Sequence, residues 1–103
     1  MAYKNKEDER EHHRKYRAAN KARLIDFLNN SECADCKESD IIVLEFDHLP
    51  EFEKKFEIGK AISGSTRSWS SILAEIAKCD VVCANCHRRR TAKRQTIHYR
   101  MPV

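Results

Sequence analysis

Apolar residues in this chain come in short groups separated by polar stretches, and the spacing inside each group predicts an element. Residues 6–29 hold no Gly or Pro, and Ala18, Ala19 and Ala22 are good helix formers, so the stretch reads as one helix. Its apolar positions Tyr16, Leu24, Phe27 and Leu28 make a face only in the C-terminal half. The N-terminal half is nearly all polar and is expected either to project into solvent or to lie on a charged partner. Asn29, Asn30 and Ser31 end the helix. A tight turn follows at Cys33 to Cys36, and 41–46 (IIVLEF) is a β-branched run with strand character, stopped by the DHLP stretch at 47–50. Ser68 can cap a helix in which Trp69, Ile72, Leu73 and Ile76 recur at i, i+3, i+4 and i+7. Residues 80–82 read as a short strand ending at Cys83, and CANCHRRRTAKR turns sharply into a final helix reaching about Gln95. Between 51 and 67, Phe52, Phe56, Ile58 and Ile62 need a core, but Gly59 and Gly64 break any long element. The pattern is α+β: an N-terminal helical arm over 1–30, and a domain over 31–103 with an inserted amphipathic helix.

At 103 residues, 41% hydrophobic and 35% charged, the chain suits one domain and excludes two linked enzyme domains. A chain of this size sits where a metal, disulfides or a partner matter for stability. No run approaches the ~18–20 apolar residues of a membrane span, and the first residues hold no apolar leader segment. No membrane partner and a cytoplasmic location are therefore expected, a setting in which clustered thiols bind metal more often than they pair as disulfides.

Five cysteines then become the main signal. Cys33 and Cys36 form one C-x₂-C pair, Cys83 and Cys86 another, with 46 residues between the pairs. A two-residue gap lets both thiolates bind one ion from a single turn, and two such turns complete a tetrahedral sulfur shell, the preferred geometry of structural zinc. A rubredoxin-like iron centre and CxxC redox chemistry share the spacing. Cys79 is left over and reads as a core residue. A closed four-sulfur shell has no open coordination position, so any chemistry must come from elsewhere.

Charge is unevenly placed. Residues 1–30 carry eight Lys/Arg against five acids, 31–60 four against nine, and 61–103 eight against two, for a net charge of +4. The acid-free run from His87 to Arg100 would attract a polyanion. On the final helix His87, Arg90, Thr91 and Arg94 follow i, i+3, i+4 and i+7, with Arg88, Arg89 and Lys93 on flanking faces. Such groups contact phosphates rather than choose bases, although a charge run can be no more than a solvated face. Asp47 and His48 close the apolar strand, and His87 directly follows a knuckle-type cysteine. Period-two alternation puts Asp47 and His48 on opposite sides of the strand line, yet at a strand end both can reach a common cleft. Asp47 and His87 could hold a divalent cation, with His48 as general base on a water attacking phosphorus, a task suited to imidazole near neutrality. The plainer reading is a surface Asp-His pair and a helix-start histidine. His12, His13, His98 and Tyr99 read as exposed, packing or tail residues.

The pattern C-x₂-C, LEFDH, then CANCHRRRT resembles the HNH endonucleases (His-Me finger, ββα-metal nucleases), specifically a small phage- and bacteria-type subgroup, over residues 33–94. The resemblance implies a ββα-metal core stapled by zinc on Cys33, Cys36, Cys83 and Cys86. It places the family's strand aspartate, a metal ligand, on Asp47, its general base on His48 and its helical metal ligand on His87. The family's middle asparagine falls where this chain has Lys78; Asn85 supplies an asparagine at a different position. The expected activity is metal-dependent nicking or double-strand cleavage of DNA with Mg²⁺, Mn²⁺ or another divalent cation. Arg88, Arg89, Arg90, Lys93 and Arg94 are then expected on the phosphates of double-stranded DNA. A homodimer or a DNA-processing partner would supply base-reading surface that so short a chain lacks. The alternatives are a zinc-stapled DNA-binding module without catalysis, or an iron or redox carrier.

Overall fold

The computed structural model describes residues 3–95; His98 and Tyr99 lie outside the described residues. Among the described residues, four helices and one two-stranded antiparallel sheet make up a small α+β fold. The first helix, α1 (Lys6–Asn29), starts where the Asn5 side chain accepts the Asp8 backbone N–H at 2.8 Å. Glu7, Asp8 and Glu9 fill its first turn, where carboxylates complement the helix dipole. Only Asn20 and Leu28 are buried on α1, so the N-terminal half has no packed face. None of the described helices is long and apolar enough to cross a membrane.

The knuckle turn at 33–36 is closed by Cys33 N–H on the Glu38 carbonyl (2.8 Å) and Lys37 N–H on the Cys33 carbonyl (3.0 Å). Lys37 has φ 70°, the left-handed region that lets so tight a turn reverse. Strand β1 is Leu44–His48, not 41–46. The β-branched run misleads because Asp40 takes its first half into a turn: Ile42 N–H donates to Asp40 Oδ1 at 3.0 Å and Val43 N–H to the Asp40 carbonyl at 3.1 Å. Ile42 is 88% exposed as a result. At the other end the strand runs through Asp47 and His48 instead of stopping before them.

Two further helices separate the strands. The segment that the sequence pattern left unread contains α2 (Ile58–Gly64), whose Ile58, Ala61 and Ile62 are buried at helical spacing. Then comes α3 (Trp69–Ile76), with Ser68 accepting the Ser71 N–H at 3.2 Å as its cap and Ile72, Glu75 and Ile76 buried. Strand β2 (Cys79–Cys83) pairs with β1 in the register Leu44↔Cys83, Phe46↔Val81 and His48↔Cys79. It passes directly into α4 (Ala84–Gln95) with no intervening residue.

Two apolar clusters hold these elements. One joins Leu28, Leu44 and Val82 to Cys33, Cys83 and Cys86; the other joins Ile58, Ala61 and Ile62 to Ile72 and Ile76. Leu24, Phe27 and Phe46 pack against both, which ties α1 into the body.

Candidate functional site

The four paired cysteines meet at the junction of the knuckle turn, β2 and α4. Their sulfurs all lie within 4.8 Å of one another, close enough to hold one metal ion. Cys36 and Cys83 Sγ are 3.7 Å apart. Two sulfurs on one tetrahedral ion at about 2.3 Å each stand about 3.8 Å apart, whereas a disulfide needs about 2.05 Å. Sulfurs this close cannot all ionise against one another. For Cys33, burial opposes ionisation, but backbone N–H groups at Cys83, Cys36 and Asp35 outweigh it and lower the thiol to about 6. Burial and the neighbouring sulfurs push Cys86 up to about 12. A divalent cation at the centre removes that conflict. Cys79 stands apart: its Sγ lies 3.5 Å from the Glu75 carbonyl, and burial with the charges of Glu75 and Asp47 pushes it up to about 11. It packs against the second apolar cluster, as a core residue would.

The two faces of β1 carry different chemistry. Glu45 and Asp47 face α4. Asp47, 2% exposed, accepts from Arg94 through both oxygens (Nη1 to Oδ1 at 2.6 Å, Nη2 to Oδ2 at 2.9 Å) and from Arg90 Nη1 on Oδ2 at 2.9 Å. Burial pushes the Asp47 carboxyl up, but the hydrogen bonds from Arg94 and Arg90 outweigh it and hold the group below the ordinary carboxylate range. Asp47 sits opposite Asp80 in the sheet, a like-charge pair that would repel. Arg90 bridges them, donating to Asp80 at 2.9 Å and, through its other nitrogens, to Asp35 of the knuckle turn at 2.7 and 2.8 Å.

His87, in the first turn of α4, lies between Glu45 and Asp47. Its Nδ1 is 2.8 Å from Glu45 Oε1, and its Nε2 is 3.6 Å from Asp47 Oδ1. Ionised Glu45 can only accept, so Nδ1 carries the hydrogen. In the neutral ring the Nε2 lone pair is then left on the Asp47 side, too far from Oδ1 for a hydrogen bond but at a separation that one cation bound to both atoms can span. A carboxylate on the far nitrogen of a ligating histidine is the usual support of such a ligand.

His48 turns to the other face. Because the strand continues through it, alternation holds, and its Nε2 meets Glu75 Oε2 of α3 at 2.9 Å instead of joining Asp47 and His87 in one cleft. Glu75, 2% exposed, also accepts from Lys55 N–H at 2.9 Å and from Lys78 Nζ at 2.9 Å. Burial raises this carboxyl, yet Lys78, the Lys55 N–H and His48 together lower it to about 2. Nε2 of His48 therefore donates, leaving Nδ1 as its free lone pair.

On α4, Arg88, Arg89 and Lys93 are exposed, while Arg90 and Arg94 are engaged with carboxylates. Arg89 Nη1 also lies 3.7 Å from Cys86 Sγ. Glu45, Glu75, Asp35 and Asp80 are the site residues that the sequence pattern did not single out. One left a signal: Glu45 is two residues before Asp47 and so shares its strand face, whereas Glu75 falls about 110° from the centre of the apolar stripe of α3 and left none. No family model, curated protein or solved structure matches the chain.

Proposed function

We propose that the protein is an HNH-type, metal-dependent endonuclease that hydrolyses DNA phosphodiester bonds. In this reading β1, β2 and α4 form the ββα-metal core, and the cysteine quartet holds a structural zinc. The carrying observation is Asp47 Oδ1 and His87 Nε2 at 3.6 Å, with Glu45 fixing the His87 tautomer. These two residues would hold Mg²⁺, Mn²⁺ or a similar cation, which supplies charge to the scissile phosphate and the leaving 3′ oxygen. The base in this reading is His48: brought from the α3 face to the side of β1 that carries Asp47 and His87, its Nδ1 would take the proton of the attacking water as the new oxygen–phosphorus bond forms and the bond to the 3′ oxygen breaks. In the resting structure Glu75 on Nε2 leaves Nδ1 as the free lone pair. Arg88, Arg89 and Lys93 contact flanking phosphates of double-stranded DNA, and Arg90 and Arg94 share theirs with Asp47.

A second reading, a zinc-stapled DNA-binding module, is favoured by two observations: Arg90 and Arg94 already occupy Asp47, and His48 faces α3. Plasmid nicking with Mg²⁺ or Mn²⁺ separates the two. The nuclease reading expects chelator-sensitive cleavage that falls roughly 10²–10⁴-fold in His48→Ala. It also expects Asp47→Asn and His87→Ala to be partly rescued by more divalent ion. DNA binding without cleavage in any divalent metal would select the binding module; a wild-type rate in folded His48→Ala would remove His48 as base.

A further inference from the structure

The charged half of α1 has an order of its own. Lys6, Arg10, Arg14, Arg17 and Lys21 are spaced four, four, three and four residues apart. At about 100° per residue they fall within roughly 80° of helix circumference and span about 22 Å of its length. Of the helix's acids, Glu7 borders this stripe, and Asp8, Glu9, Glu11 and Asp26 lie on other faces. Lys6, Arg10, Arg14 and Lys21 are exposed and Arg17 is half-buried. Among the described residues none of the five makes an ion pair; Lys15, off the stripe, pairs with Glu11 at 3.6 Å.

The stripe also has a direction. Leu28 is seven residues beyond Lys21, on the same line of the helix, and it is buried in the cluster with Cys33, Cys83 and Cys86. The five cations therefore lie on the side of α1 that meets the cysteine knuckle, from which α4 starts. No large apolar side chain lies on the stripe between residues 6 and 21, so a protein partner would find no anchor to bury. A duplex offers what the stripe matches: a line of phosphate charge, one per about 1.7 Å of axis.

We infer that the N-terminal half of α1 is a second phosphate-binding surface for double-stranded DNA, laid along the backbone beside the knuckle and α4. It rests on the reading that DNA is the partner. It lengthens the footprint by about 22 Å, roughly six base pairs at 3.4 Å each.

The test is fluorescence anisotropy of the full chain on duplexes of about 10 and about 25 base pairs across a salt series. Arg10→Gln/Arg14→Gln/Arg17→Gln removes charge while keeping good helix formers, and circular dichroism checks folding. Each lost phosphate contact lowers the log–log salt slope by about 0.9, so the triple variant should lose about 2–3 on the long duplex and markedly less on the short one. Arg88→Gln/Lys93→Gln should lower the slope on both lengths, and Lys15→Gln should change it little. An unchanged slope in the triple variant, or an equal effect from Lys15→Gln, would overturn the inference. So would polyglutamate displacing the long duplex from wild type but not from the triple variant, which would assign the stripe to acidic protein. Wild-type chain that binds duplex but never nicks would sink the nuclease reading alone; no duplex binding at either length would sink both.

Discussion

Replacing Glu75 by Gln should destabilise the fold by about 2–3 kcal/mol. The carboxylate is 2% exposed and accepts from three donors on three segments: Lys55 N–H, His48 Nε2 and Lys78 Nζ. Glutamine has the same shape but one acceptor oxygen. If that oxygen keeps Lys55 and His48, the amide NH₂ is turned toward the Lys78 ammonium, donor against donor. The folded carboxyl lies at about 2 against an ordinary 4.5, a difference worth about 3 kcal/mol. Glutamine retains part of that, hence the lower figure. A group whose carboxyl is lowered by folding contributes fully above its unfolded value and loses the contribution as pH falls through the folded one. The gap between wild type and variant should therefore be complete at pH 5 and above, and close as pH falls from 4.5 toward 2. Urea unfolding followed by far-UV circular dichroism at pH 7, 5, 4 and 3 reads it. The difference is the quantity to follow, because acid also protonates the cysteine thiolates of both proteins. At neutral pH the melting temperature should drop by roughly 10–20 °C. A gap below about 0.5 kcal/mol at pH 7, or one that widens in acid, would refute the argument.

Cys86→Ala should reduce tightly held metal from about one ion per chain to a small fraction and lower the melting temperature, read by metal analysis and thermal scans. A folded, equally stable wild-type chain purified without metal would contradict it. Arg90→Met should cost about 2–3 kcal/mol in urea unfolding, somewhat less than the loss of a fully buried partner, because Arg94 stays on Asp47 while Asp35 and Asp80 are partly exposed. A cost under about 0.5 kcal/mol would mean that the three carboxylates do not depend on it.

Long, strongly patterned elements were legible from sequence: α1, α3 with its Ser68 cap, and α4 lie where helix formers and apolar spacing put them. The cysteine quartet was legible because two-residue gaps are a local property of the turn. What failed was local pattern overruled by local hydrogen bonding, as at Asp40, and α2, where Gly59 hid a buried face only seven residues long. The site was half legible. Adjacency in sequence placed Asp47 beside His48, but a strand separates neighbours onto opposite faces, and nothing local says that Glu75 lies 27 residues on. Likewise the basic run gave no hint that Arg90 turns inward, because its partners Asp35 and Asp47 are 55 and 43 residues away in the chain.

The junction where Cys83 ends β2 and Ala84 begins α4 bears on insertions and deletions. One residue added there would rotate the helix by about 100° and advance it about 1.5 Å. Cys86 would leave the other three sulfurs, His87 would leave Glu45 and Asp47, and Arg90 and Arg94 would swing off their carboxylates together. No single side-chain substitution disturbs so many contacts. The stretch between His48 and Ile58 is held by Lys55 N–H on Glu75 and by the Leu49 N–H and Glu53 carbonyl on Lys78, but Pro50, Glu51 and Phe52 between those contacts are exposed. Chain length can change there at little cost in loop entropy, whereas across Cys83 and Ala84 it is held to the residue.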